Sequence, residues 1–224
     1  MFYVLCSMII VRQTKTILLL FFFTTLFSVM HAQTKTVSPV GNYYLQGVME
    51  TASGFRLNKD SSFQFFFSYG ALDRYGEGKW KVKNNSIVFE SRQKPAADFR
   101  LTKTNAGEKE RISIQLKDMN PDLLHYVYCK IKGDGKEQEG TIDKDGRIAF
   151  ALQPIDSIEL VFEFCPEKKS ILAVTSKEHH AFELVPEPWL MEIFFHNFSL
   201  QQTKNGLSGG HPLSNKIDFQ YQKN

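Results

Sequence analysis

Hydrophobic and polar residues alternate with a period of two along most of the chain after residue 40, and clusters of Gly, Asn, Asp and Ser interrupt this alternation. Residues 63–69 and 78–83 alternate clearly, and the second stretch turns at Asn84 and Asn85 and returns over residues 86–90. Alternation of this kind is typical of antiparallel strands that bury one face. The pattern therefore predicts an all-β fold that contains a hairpin at this turn.

The same pattern divides the chain into stretches of strands. Residues 41–92 form a first unit, and a polar, turn-rich stretch then separates it from a second group of regular short strands over residues 108–176. Residues 178–222 contain too few strands to form a core of their own. We therefore expect them to complete the antiparallel sheet or barrel of the first unit, with a β-sandwich inserted between the two halves.

Four short motifs of the first unit have the spacing G-x-[YW], F-x-L, D-x-x-F and G-x-W. They are Gly41 to Tyr43, Phe55 to Leu57, Asp60 to Phe63 and Gly78 to Trp80. This series resembles that of small lipocalin-like domains. The resemblance implies a lipocalin-like antiparallel sheet or barrel that often holds an apolar ligand in its mouth, and it implies no catalysis.

Residues 140–150, GTIDKDGRIAF, resemble the T-x-D-x-D-G-x-[FI]-x-F turn of carboxypeptidase-regulatory-like, transthyretin-type domains, and the break at residues 118–121 matches their first turn. This resemblance implies a transthyretin-like β-sandwich, a domain that serves stability or spacing. The whole chain also resembles a group of exported bacterial proteins with segments of the type GVMETASGF, FFFSYGALDRYG and PEPWLMEIFF, and this resemblance implies no activity. The three segments begin at Gly47, Phe65 and Pro186.

Residues 1–32 have the pattern of a signal peptide. Arg12 and Lys15 precede a mostly apolar run over residues 17–30, and Ala32 supplies a small residue at the cleavage point. A membrane anchor needs about 20 apolar residues, which this run does not reach. We therefore expect a bacterial protein that is exported to the periplasm or the extracellular space and has no transmembrane segment in its mature chain.

Charge and composition limit the kinds of partner that the protein can bind. The chain is 42% hydrophobic and 23% charged, as is usual for a globular protein. Beyond residue 32 it has 25 basic and 24 acidic residues. A nucleic-acid-binding surface needs a strongly basic face, so this balance argues against a nucleic-acid partner.

Cys129 and Cys165 leave two alternatives open. An oxidising compartment favours a disulfide between them. Strand alternation opposes it, because Cys129 shares the apolar face of its strand with Val127 and Ile131, whereas Cys165 falls on the face of Glu163. The cysteine spacing fits no structural zinc site.

The segment Tyr69 to Tyr75, YGALDRY, is the strongest candidate for a binding site. It interrupts a strand pair with a longer connection, and loops on a rigid sheet often carry binding groups. Asp73 and Arg74 place opposite charges between the two tyrosines, and Trp80 follows in the next strand. We therefore predict that these five residues contact a ligand at the mouth of the barrel, and the alternative is an exposed loop with a local ion pair. The predicted partner of the protein is a small apolar ligand or another envelope protein.

Other chemical patterns are weak. Asp143, Asp145 and Gly146 match part of a calcium loop, but Leu152 stands where a bidentate Glu is needed. Histidines concentrate near the C-terminal end of the sequence without a metal-ligand spacing; they are His179, His180, His196 and His211. No G-x-S-x-G motif occurs.

The sequence therefore predicts a non-catalytic exported binding or structural module with no metal and no cofactor. The alternative is a hydrolase whose carboxylates and histidines come together only in the folded protein.

Overall fold

The structure is a computed structural model that describes residues 38–70, 72–108 and 110–224. The predicted signal peptide, residues 1–32, lies outside the described residues. The described residues contain one short helix, α1 (Pro121–Leu124), and no helix long and apolar enough to span a membrane. The strands are β1 (Gly41–Gln46), β2 (Thr51–Leu57), β3 (Ser62–Tyr69), β4 (Leu72–Lys83), β5 (Ser86–Glu90), β6 (Phe99–Asn105), β7 (Arg111–Leu116), β8 (Val127–Gly133), β9 (Lys136–Thr141), β10 (Arg147–Ala151), β11 (Ser157–Phe162), β12 (Lys169–Ala173), β13 (Ala181–Pro186), β14 (Phe198–Gln202), β15 (Gly206–His211) and β16 (Ser214–Lys223). The predicted all-β fold is confirmed.

Eight strands close into an antiparallel barrel in the order β1-β16-β15-β14-β5-β4-β3-β2. The hairpin predicted from the sequence is formed by β4 and β5, which meet where Lys83 pairs with Ser86. Asn84 and Asn85 both have positive φ angles, 48° and 62°. Asparagine tolerates this conformation, which a two-residue hairpin turn requires. The barrel closes where β1 pairs with β16.

Aromatic rings fill the interior of the barrel. Phe55 of β2 is 1% exposed and lies with its ring centroid 4.6–6.2 Å from five other rings. An eight-stranded barrel is just wide enough inside for its own side chains, and here these side chains form a hydrophobic core. The buried members of this core are Tyr43, Phe55, Leu57, Phe63, Phe65, Ile87, Phe89, Ile193, Phe195, Leu200, Leu207 and Tyr221.

The other eight strands form two four-stranded sheets, in the orders β10-β7-β13-β6 and β12-β11-β8-β9. Their strand pairs are antiparallel except that β13 runs parallel to β7. Buried residues of both sheets, such as Ile114 in β7 and Leu160 in β11, belong to one hydrophobic core. We refer to these strands as the paired sheets.

Two strands lie elsewhere than the sequence indicated. β6 falls in the stretch that composition marks as a boundary, and β13, which we expected within residues 178–222 of the barrel, pairs with β6 and β7. β6 is an edge strand in which only Phe99 is fully buried, so its alternation is weak. Leu184 of β13 is buried in the core of the paired sheets. Alternation predicts a strand but does not identify its partner.

Candidate functional site

The predicted loop over residues 69–75 is a tight hairpin, which corrects the expectation of a longer connection. β3 ends at Tyr69 and β4 begins at Leu72, and these two residues pair. Gly70 has a φ angle of 58°, a conformation that glycine adopts without strain and that permits so short a turn. Asp73 and Tyr75 therefore belong to a strand and lie on its exposed face, whereas Arg74 between them is buried.

The five predicted residues do not converge on one site. Tyr69 is 52% exposed at the tip of the hairpin. Trp80 lies six positions after Arg74 in the same strand, which places the two about 20 Å apart. The Trp80 indole nitrogen donates a hydrogen bond to the Asn58 carbonyl oxygen, 3.2 Å away. Ligand contact by these residues stays a prediction.

Arg74 and Tyr75 contact the segment that joins β13 to β14, residues 187–197, which we call the connecting segment. The Ile193 amide donates to the Tyr75 carbonyl oxygen at 2.6 Å, and the Tyr75 hydroxyl donates to the Pro188 carbonyl oxygen at 3.0 Å. Gly76 allows this approach, because a Cβ atom there would lie 2.6 Å from the ring of Phe195. The connecting segment therefore lies against the first half of β4.

A buried ion pair anchors the connecting segment to the paired sheets. Lys168 Nζ lies 3.1 Å from Asp98 Oδ1, and both side chains are 3% exposed. The same ammonium group donates to the carbonyl oxygens of Trp189 and Leu190 at 2.8 and 2.9 Å. Burial lowers the pKa of Lys168, and the hydrogen bond to Asp98 opposes this shift. All three donors of the ammonium group are therefore used within the fold.

Two further ion pairs join the barrel to neighbouring segments. Arg74 Nη2 lies 2.5 Å from Glu167 Oε1, and Arg92 Nη2 lies 2.5 Å from Glu192 Oε2. The Arg92 guanidinium group also lies over the ring of Phe194, 4.9 Å from its centroid. In each pair one side chain is almost fully buried: Arg74 in the first pair and Glu192 in the second. These ion pairs attach β4 to the segment around Glu167, and the residues after β5 to the connecting segment.

Sequence reasoning missed most of these charged residues. Glu192 gave a signal, since it is a charged residue inside the apolar run WLMEIFF. Lys168 and Asp98 lie in polar stretches where nothing in the pattern indicates burial. Their position follows only from the packing of the connecting segment.

A hydrogen-bonded serine–histidine pair that the sequence did not predict lies inside the barrel. Ser53 Oγ and His211 Nε2 are 3.1 Å apart, and both residues are buried. His211 Nδ1 accepts a hydrogen bond from the Leu213 amide, so the ring proton is on Nε2 and points at Ser53. Ser53 in turn donates to the Phe66 carbonyl oxygen at 3.0 Å. The imidazole has no free lone pair with which to act as a base toward Ser53.

Burial lowers the pKa of His211 from 6.5 to about 4. The unfolded chain therefore takes up a proton between pH 6.5 and pH 4 that the folded protein excludes, so stability falls as the pH falls through this range. The expected loss from this residue is about 3 kcal/mol. Urea unfolding at several pH values should show that a His211→Gln variant lacks this part of the pH dependence. The variant His125→Gln, at an exposed histidine that takes part in none of the ion pairs of the described residues, should retain it, and equal slopes in all three proteins would contradict the assignment.

An exposed carboxylate–histidine pair lies beside an open cleft of 570 Å³. His196 Nδ1 and Glu90 Oε1 are 2.7 Å apart. A hydrogen bond from the Asn197 amide and the contact with His196 lower the pKa of Glu90. Ser91 in the same cleft donates its hydroxyl proton to the Glu77 carbonyl oxygen. This is the arrangement nearest to the hydrolase alternative, but the Ser91 hydroxyl is already engaged in the fold.

The weak metal patterns have structural uses. Asp143 Oδ1 accepts hydrogen bonds from the amides of Asp145 and Arg147, which is how an aspartate stabilises a turn. His179 Nδ1 lies 2.6 Å from the Thr104 hydroxyl. Within residues 38–70, 72–108 and 110–224, His, Cys, Asp and Glu form no group of three that could hold a metal ion.

Both cysteines are free and buried, so the structure contains no disulfide between Cys129 and Cys165. Cys129 is part of the core of the paired sheets, as strand alternation indicated. Cys165 is buried in the same core, contrary to the face that alternation assigned to it, because β11 ends at Phe162 and the alternation does not extend to residue 165. Burial raises the pKa of the Cys129 thiol to about 12 and that of the Cys165 thiol to about 11. Thiols with such pKa values are weak nucleophiles at neutral pH.

Three aromatic rings stand side by side on the outside of the barrel. Tyr44 pairs with Gly54, Gly54 with Phe66, and Phe66 with Tyr75, so the residues form one line across four strands. Tyr44, Phe66 and Tyr75 are 37%, 39% and 44% exposed, and we call them the aromatic row. Phe66 covers Gly54, and its ring meets that of Tyr44 edge-on with centroids 6.1 Å apart. Aromatic cover of a glycine also stabilises the sheet.

Comparison of the chain with protein families, with curated proteins and with solved structures found no match.

Proposed function

We propose that this protein is an exported, non-catalytic module of the bacterial envelope, periplasmic or extracellular, that binds another protein through the outside of its barrel. The observation that carries the proposal is the aromatic row, which places three partly exposed rings in register on a barrel whose interior is filled. The basic and apolar pattern of residues 1–32 supports export.

In this proposal the barrel is a lipocalin-like unit and the paired sheets are an inserted transthyretin-like sandwich. The chain leaves the barrel after β5 and returns to it at β14, which supports an insertion. A carrier of apolar molecules would hold its ligand inside the barrel, but the rings around Phe55 occupy that space. The role that fits this architecture is presentation of a rigid outer surface. The buried ion pairs hold the barrel, the connecting segment and the paired sheets in place.

The chemistry around the aromatic row favours a protein as the partner. Tyrosine and phenylalanine are enriched at the centres of protein interfaces. The strand register places Arg56 and Glu77 on one side of the row and Asp73 on the other, so both signs of charge flank it. An anionic lipid surface would instead select a cluster of basic residues.

Site-specific photo-crosslinking in the native host tests this proposal. We expect a benzoylphenylalanine in place of Phe66 to give one discrete adduct with an envelope protein, because the partner covers the aromatic row. A Tyr44→Ser change on the same chain should reduce the yield about tenfold, the effect of losing one well-packed interface side chain. The matched control carries the crosslinker in place of Ile171, which is 57% exposed in β12, and should give no such adduct.

Absence of an adduct from position 66, or equal yields from positions 66 and 171, would contradict the proposal. Native mass spectrometry of the exported protein supplies an independent result. A retained apolar small molecule would identify a ligand carrier instead.

A further inference from the structure

Several turns of the barrel meet at one of its ends. The Gln202 amide donates to the Asn85 carbonyl oxygen at 2.9 Å, which joins the β14–β15 turn to the β4–β5 turn. The Lys223 amide, in the last residue of β16, donates to the Asn205 carbonyl oxygen at 3.0 Å. The β2–β3 turn lies at the same end, because its Ser61 carbonyl oxygen accepts a hydrogen bond from the backbone of β4 at 2.8 Å.

Lysines concentrate at this end of the barrel, which consists of residues 58–61, 79–86, 202–206 and 222–224 and which we call the basic end. Asp60 is its one acidic residue, and its six lysines are Lys59, Lys79, Lys81, Lys83, Lys204 and Lys223. Lys79 Nζ lies 3.9 Å from Asp60 Oδ2, whereas Lys59, Lys83 and Lys204 are exposed and form no ion pair among the described residues. Basic and acidic residues are nearly equal in number beyond residue 32, so positive charge is segregated to this end.

The β4–β5 hairpin projects from the basic end. β3 begins at Ser62, which pairs with Lys79, so in the strand register residues 80–83 pair with β5 alone. Lys81 and Lys83 are exposed and lie on the outer face of β4. Val82 between them is 52% exposed. The tip of the hairpin therefore presents an apolar side chain flanked by two ammonium groups.

This combination of groups matches the surface of an anionic lipid bilayer. A cluster of about four to eight basic residues is what such a surface attracts, and the apolar boundary beneath the headgroups accepts exposed apolar side chains. A soluble polyanion would pair with the lysines but leave Val82 in water. A protein partner is disfavoured, because lysine is depleted at the centres of protein interfaces.

We propose that the basic end docks on an anionic lipid surface, with its lysines among the headgroups and Val82 in the boundary below them. This inference goes beyond the proposed function, because it uses a different surface of the barrel. The residues of the aromatic row lie outside the basic end, so docking leaves the row open to a partner protein.

Co-sedimentation of the protein, as its host makes it, with lipid vesicles tests the inference. We expect binding to phosphatidylcholine vesicles that contain about one third phosphatidylglycerol, and binding about tenfold weaker to phosphatidylcholine alone. A variant with both Lys81→Gln and Lys83→Gln should bind the anionic vesicles about 25-fold more weakly, which is about fivefold for each lysine. The control with both Lys144→Gln and Lys177→Gln removes the same charge at exposed sites outside the barrel and should bind normally.

A Val82→Ser variant distinguishes a lipid surface from a soluble polyanion. It retains every lysine, and we expect it to bind the anionic vesicles about fivefold more weakly, because an apolar side chain no longer enters the bilayer. Vesicle binding that is insensitive to Val82→Ser would overturn the proposal in favour of a polyanion.

Two other results would overturn the proposal. Equal binding to both kinds of vesicle would indicate attachment through an apolar segment, and equal losses in the two double-lysine variants would show that the basic end is not the contact surface. A Phe66→Ala variant should bind vesicles normally, so a failure of the crosslinking experiment at position 66 would leave these results unaffected.

Discussion

Replacement of Lys168 by methionine is expected to lower the free energy of unfolding by about 3–5 kcal/mol. The change removes the cation that lies 3.1 Å from Asp98, whose side chain is 3% exposed, and leaves a buried carboxylate without a counter-charge. It also removes the donor to the carbonyl oxygens of Trp189 and Leu190, so the connecting segment loses its anchor. Urea unfolding followed by far-ultraviolet circular dichroism measures the loss.

The next residue in the sequence provides the control. Lys169 pairs with Glu159 through a side chain that is 50% exposed, so Lys169→Met should cost less than about 1 kcal/mol. Combining Lys168→Met with Asp98→Asn should recover part of the loss, because the carboxylate charge is then gone as well. Similar losses for Lys168→Met and Lys169→Met would show that the buried pair does not anchor the segment.

A Phe55→Ala variant is expected to lose about 3–5 kcal/mol of stability. The Phe55 ring lies among five other rings in the filled barrel, and its removal leaves a cavity that the closed sheet cannot collapse to fill. The midpoint of urea unfolding should fall while the dependence on urea concentration stays unchanged.

Phe66→Ala is the matched control, since Phe66 is 39% exposed on the outside of the same sheet. Its removal should cost about 1 kcal/mol, the value of a partly exposed contact over Gly54. A loss for Phe55→Ala as small as that for Phe66→Ala would indicate a loosely packed interior. That result would return the barrel interior to consideration as a ligand cavity and weaken the proposed role of the aromatic row.

Local patterns in the sequence were enough to predict the main hairpin and most strands, but not β6, which lies in the stretch that composition marked as a boundary. The alternation of Phe63 and Phe65 with polar neighbours marks a strand because side chains of a strand point alternately to its two faces. Asn84 and Asn85 mark the turn because their side chains tolerate positive φ angles. These features depend only on residues that are neighbours along the chain, so they can be recognised in a single sequence.

The partners of strands and charges could not be predicted in the same way. β13 has the alternation of a strand, but its position between β6 and β7 results from packing of the paired sheets. Lys168 and Asp98 lie 70 positions apart, and no local pattern relates them.

Of the five residues predicted to bind a ligand, the structure assigns a place in the aromatic row to Tyr75 and an ion pair to Arg74. The prediction grouped them because they are adjacent in the sequence. In a strand, adjacent residues face opposite sides, so Arg74 turns into the protein and Tyr75 turns out of it. The expectation of a longer loop was wrong, since it ignored how short a turn Gly70 permits.

The pairing of β1 with β16 has a consequence for how the protein folds. Tyr43 lies opposite Lys223, so the barrel closes only after residues 214–223 have been synthesised. Until then β1 to β5 can form at most an open sheet with two unpaired edges. Contacts between strands so distant in sequence form slowly, because a long loop must close before they stabilise the chain. Late closure therefore keeps the newly made polypeptide open for an interval, with the edges of its unfinished sheet unpaired.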